Sequence, residues 1–63
     1  MYRIENARCV KDTGQKILVE APDLEEPTWI PKSQIEDESE VYKHGTDGVL
    51  IVNDWFAEKR GWA

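Results

Sequence analysis

Tyr2 and Ile4 alternate with Arg3 and Glu5, the period-two pattern of a half-buried strand, and this predicts a strand over Tyr2–Val10. Lys16–Ala21 is rich in Ile, Leu and Val and predicts a second strand. Between them Lys11–Gln15 holds an Asp and a Gly, so the two strands form a hairpin. Pro22–Pro27 is a turn bracketed by prolines. Thr28–Ile30 is a third strand, ended by Pro31, which has no N–H to give a ladder. Proline also suits the first position of a helical turn, so Pro31–Gln34 predicts one turn that reorients Ile35 toward the core. Glu36–Glu40 is a loop, followed by a short apolar contact at Val41-Tyr42. Lys43–Gly48 is a turn, with Asp-Gly as its sharpest signal. Val49–Val52 is an uninterrupted apolar run, a buried strand. The period then changes. Asn53 or Asp54 can cap a helix over Asp54–Arg60, and Gly61 stops it. Two turns cannot stand alone. Trp55 or Phe56, with Trp62, must hold them.

These elements predict a mainly β fold in a single domain, residues 1–63. The expected form is a small antiparallel SH3-like or OB-like barrel, or rolled sheet, of four or five strands with a short C-terminal helix. Lys16–Ala21 and Val49–Val52 are expected at its centre. The expected core is Tyr2, Ile4, Val10, Ile17, Val19, Ile30, Ile35, Val49, Ile51 and Phe56, together with Trp29 and Trp55. Each would contribute roughly 1.5–3 kcal/mol when buried.

The 63 residues change the picture in one way: a chain this short buries only about 60% of the surface its unfolded form exposes. Cys9 is the single cysteine, so no internal disulfide helps. With one Cys and one His no zinc set is available, and no cofactor is expected. No apolar run approaches the ~18–20 residues of a membrane span, and the first residues lack a basic-then-apolar signal pattern. With a free thiol this points to a reducing compartment, the cytoplasm of a bacterial host.

Net charge is −5, unevenly spread. Residues 1–19 carry net +2 and residues 20–40 carry net −7, while residues 41–63 are neutral. The acidic block comprises Glu20, Asp23, Glu25, Glu26, Glu36, Asp37, Glu38 and Glu40 against Lys32 alone. It reads either as solvated loops or as a binding surface. Overall acidity disfavours direct nucleic-acid binding by long-range repulsion from phosphates.

Little catalytic chemistry can be assembled. His44 sits in a Gly-flanked turn, and Cys9 lies in an alternating strand as a small buried hydrophobe. Glu36–Glu40 lacks the spacing of an EF-hand loop. A non-enzymatic chain is expected. Tyr42 in the acidic loop and Trp62 near the end are candidate anchors for a partner; Trp62 either folds back or projects.

The run Trp29-Ile-Pro-Lys-Ser-Gln-Ile35, followed by Gly48-Val-Leu-Ile-Val-Asn-Asp-Trp-Phe-Ala-Glu-Lys-Arg-Gly61, resembles a recurring small module of phage and prophage proteins. The resemblance covers roughly residues 16–62 and carries over no catalytic residue. It implies a mobile-element origin. By analogy it suggests an inhibitor of host defence complexes, of the anti-CRISPR kind. The expectation is therefore an acidic module that binds a protein with a basic surface through Asp23, Glu25, Glu26, Glu36, Asp37, Glu38 and Glu40, with Tyr42 and Trp62 as anchors. Turns 22–27 and 36–40 flank the third strand, and lie either at opposite ends of it or close together. Two other readings compete. One is a barrel that binds single-stranded nucleic acid through aromatics and Arg3, Arg8, Lys11 and Lys16; the other is an accessory module of a larger assembly.

Overall fold

The computed structural model describes residues 1–62. Its strands are β1 (Tyr2–Asp12), β2 (Lys16–Glu20), β3 (Thr28–Pro31) and β4 (Asp47–Val52), with a 3₁₀ turn at Lys32–Gln34 and a helix α1 at Asp54–Lys59. The fold is mainly β: four antiparallel strands in one sheet, ordered β3-β2-β1-β4, and one short C-terminal helix.

The long strand β1 makes the sheet roll. Its first part pairs with β4, from Tyr2↔Val52 to Arg8↔Asp47. Its last part pairs with β2, from Arg8↔Glu20 to Asp12↔Ile17. Register shifts between Ile4 and Ala7, where Asn6 takes φ 57, and again between Cys9 and Lys11. Such irregularities bend a strand and deepen its twist. The centre of the sheet is thus β1 with β2, whereas β4, expected in the middle, stands at one end of the strand order.

The outer edge of β4 is nevertheless covered. From β3 the chain turns through Lys32–Gln34 and runs straight back along β4. Ile35 bridges to Val52, Asn53 N–H donates to the Gln34 carbonyl at 3.0 Å, and Glu36 N–H donates to the Ile51 carbonyl at 2.9 Å. One helical turn therefore links the two end strands and brings the rolled sheet round on itself. The expected reorientation of Ile35 is observed, since its side chain packs against the core.

That core is Ile4, Ala7, Cys9, Ile17, Val19, Ile30, Val41, Leu50, Val52, Phe56 and Ala57. Val41 is fully buried although it sits in a loop. Trp29 and Trp55 are not part of the core: they are 39% and 59% exposed. The reason is parity. Thr28 and Ile30 point inward from β3, so Trp29 between them points out. On α1 the inward residues are Phe56 and Ala57, which leaves Trp55 on the open side.

The helix is fixed at both ends. The Asn53 side chain accepts from Phe56 N–H at 2.8 Å and donates to Gln34 Oε1 at 2.6 Å. At the C-terminus Gly61 has φ 78, Gly61 N–H donates to the Glu58 carbonyl and Trp62 N–H donates to the Ala57 carbonyl. This paired closure is the Schellman arrangement, which a glycine with positive φ allows. It folds Trp62 back, with its ring 6.0 Å from Tyr2 and 5.7 Å from Phe56.

Candidate interaction surface

The acidic segment is built from two kinds of residue. Where Glu36–Glu40 leaves β4 it forms a turn, closed by Ser39 N–H donating to the Glu36 carbonyl at 3.0 Å. The β4 amides beneath the turn still need acceptors, and side chains supply them. The Ser39 hydroxyl, buried, accepts from Ile51 N–H at 3.0 Å and Val41 N–H at 3.2 Å, and donates to the Val41 carbonyl at 2.9 Å. Glu40 Oε1 accepts from Val49 N–H at 2.8 Å, while Glu40 N–H donates back to the Val49 carbonyl at 2.9 Å. A strand edge is thus completed by two oxygen-bearing side chains where backbone carbonyls have moved away. Glycine suits position 48 because φ is 124 there, and a Cβ would also displace the Glu40 carboxylate from its bond to Val49.

Glu40, expected among the partner-binding residues, is exposed, and its Oε1 also serves the fold. Asp37 and Glu38, at the tip of the turn, are exposed, and Glu36 is half-buried. Tyr42 is 49% exposed, with Lys43 Nζ 5.6 Å from its ring centre. Asp37 and Tyr42 line one shallow depression with Ile35, Ser39, Lys32 and Lys43. Asp23, Glu25 and Glu26 line a different one, with Leu24, Arg60 and Trp62. The structure therefore groups 36–38 with Tyr42 and 23–26 with the half-buried Trp62. Trp62 is not a projecting anchor, because its indole is engaged by Tyr2 and Phe56.

Ion pairing divides the carboxylates further. Among the described residues the salt bridges are Met1 ammonium–Asp54 at 2.7 Å, Arg8–Glu20 at 3.0 Å and Lys32–Asp12 at 3.0 Å. None involves Asp23, Glu25, Glu26, Glu36, Asp37 or Glu38. The Met1 ammonium is held above its ordinary pKa first by its hydrogen bond to Asp54 and then by that carboxylate's charge, with smaller contributions from Glu36 and Glu38. The 36–38 turn thus lies toward the start of α1.

Asp12 gathers three neighbours. Its carboxylate accepts from Gly14 N–H at 2.7 Å and Lys32 Nζ at 3.0 Å, and these hold it below the usual carboxylate range, with a weaker contribution from His44 N–H. Burial pushes the Cys9 thiol up; its Sγ–H donates to the Lys11 carbonyl at 3.2 Å. His44 is exposed. Among the described residues, no helix is long and apolar enough to cross a membrane.

Two surface residues were missed at the sequence level, Trp29 and Trp55. Each carries a lysine over its ring, Lys16 at 5.0 Å and Lys59 at 5.3 Å. The alternation Thr28-Trp29-Ile30 held the signal for Trp29, because only one parity of a strand can face the core.

No protein-family model, no curated protein and no solved structure matches the chain.

Proposed function

We propose that the chain is a non-enzymatic module that binds a protein with a basic surface, using Asp37, Glu38 and Tyr42 as its contact. The supporting observation is the division of the acidic segment. Ser39 and Glu40 fasten it to β4, while Asp37 and Glu38 stand exposed at its tip and form no salt bridge among the described residues, beside an exposed tyrosine. Fastening reduces the ordering cost on binding, and unpaired carboxylates steer a basic partner toward the site. Tyrosine supplies apolar area with few rotatable bonds. The partner we favour is a nucleic-acid-handling protein of a bacterial host, including those of defence complexes. The carboxylates would occupy sites on it that otherwise take phosphates.

The test has two steps. A partner is captured from bacterial lysate at low salt, and its association rate is then measured with the wild type and with Asp37→Lys/Glu38→Lys. Association of the variant should be slower by about tenfold or more at low ionic strength, with a weaker dependence on salt. Equal rates for the two proteins across the salt series would refute the reading.

A further inference from the structure

Two lysines of the basic first nineteen residues, Lys11 and Lys16, stand exposed on strands β1 and β2. On the outer side of β1, β2 and β3, the register sets Lys11 against Leu18 and Leu18 against Trp29. The next row pairs Lys16 with Pro31, and on the other side Arg8 pairs with Glu20. Leu18 is half-buried, Trp29 is 39% exposed, and Lys11 and Lys16 are exposed and form no salt bridge among the described residues. An indole therefore lies beside Leu18 on an apolar patch two strands wide, and Arg8, Lys11 and Lys16 outnumber Glu20 around it. Neighbouring strands are about 4.8 Å apart, so the row from Lys11 to Trp29 spans about 10 Å.

We propose that this face docks single-stranded nucleic acid, with a base stacked on Trp29 and phosphates taken by Lys11 and Lys16. Two observations favour that occupant. The face is locally cationic on a chain of net charge −5. Charges more than about 8 Å away are largely screened at physiological salt, so the nearest lysines dominate. Lys16 Nζ lies over the exposed face of the Trp29 ring at 5.0 Å, so a base stacking there would displace this lysine and leave its ammonium beside the base to meet a phosphate. An acidic peptide would satisfy the lysines but offers the indole a flat group only where it carries an aromatic or arginine, whereas every base has one. The face shares no residue with the Asp37–Glu38–Tyr42 contact, so the two proposals stand or fall separately.

Binding of a fluorescently labelled thymidine homopolymer to the full chain, read by anisotropy, tests this. The wild type should bind at about 50 mM salt and weaken toward 200 mM with a log–log slope of about −1.4, as two phosphate contacts to a single strand require. Trp29→Ala should weaken binding about tenfold and Trp29→Phe should largely keep it, because stacking needs a ring rather than an indole. Lys11→Glu/Lys16→Glu should abolish it, and Asp37→Lys/Glu38→Lys should not weaken it. Should Trp29→Ala fail to fold by circular dichroism, the lysine pair decides. The proposal is overturned by absence of binding at low salt, by an unchanged affinity in a folded Trp29→Ala or in the lysine pair, or by an oligoglutamate peptide displacing the oligonucleotide at equal charge.

Discussion

Adjacent residues in this chain have opposite jobs. Trp55 and Phe56 neighbour each other on α1, yet one is 59% and the other 8% exposed. Phe56→Ala should cost about 3–5 kcal/mol, the range for removing a buried aromatic, which on so small a domain leaves little folded protein at 37 °C. Trp55→Ala should change stability by no more than about 0.5–1 kcal/mol, since a surface ring covered by a lysine stem contributes little. Chemical denaturation of the two variants side by side checks both. Cys9 gives a prediction in pH. Burial raises its thiol pKa in the folded state, so the folded chain keeps a proton that the unfolded chain releases. The stability this contributes is complete below the unfolded value, about 8.5, and is lost as pH rises through the higher folded one. Thermal melts of the wild type should fall more steeply above that pH than those of Cys9→Ala.

At the scale of elements, most of the fold was legible from pattern. The hairpin, the Pro31 stop, the 3₁₀ turn and the capped helix follow from alternation, proline and the Asn53/Gly61 signals. What pattern could not give was the strand order. Nothing local says that β1 bends at Asn6 and serves two partners, because the bend depends on pairing that only the folded sheet supplies. The role of the 34–41 segment was hidden for the same reason: a serine and a glutamate in an acidic run look solvated until β4 lies beneath them. Trp62 lay between, since Gly61 signalled the closure and only Tyr2 and Phe56 supplied the seat. The loops have their own tie at Asp12, which links the β1–β2 turn to Lys32. Its carboxylate is depressed, so its contribution is present above the unfolded pKa of about 3.9 and is lost as pH falls below it. Asp12→Asn should therefore flatten the acid limb of the stability profile, as melts from neutral pH downward would show.

Charge is mixed at the scale of the whole molecule. The depressions beside the acidic turns also hold Lys32, Lys43 and Arg60, while Lys11 and Lys16 flank Leu18 and Trp29, so net charge alone does not describe any one surface. The binding reading depends on the acidic segment being fastened by Ser39 and Glu40 while Asp37 and Glu38 remain free. Thermal unfolding of Ser39→Ala beside Asp37→Asn/Glu38→Asn tests that division directly. Removing the Ser39 hydroxyl strands two buried N–H groups, which costs about 2 kcal/mol or more. On a domain of this size such a loss lowers Tm by about 10 °C. The double neutralisation should leave Tm within about 2–3 °C of the wild type, since it alters only exposed side chains. A Ser39→Ala protein that melts with the wild type, or a double variant that melts as far below it as expected for Ser39→Ala, would contradict the division.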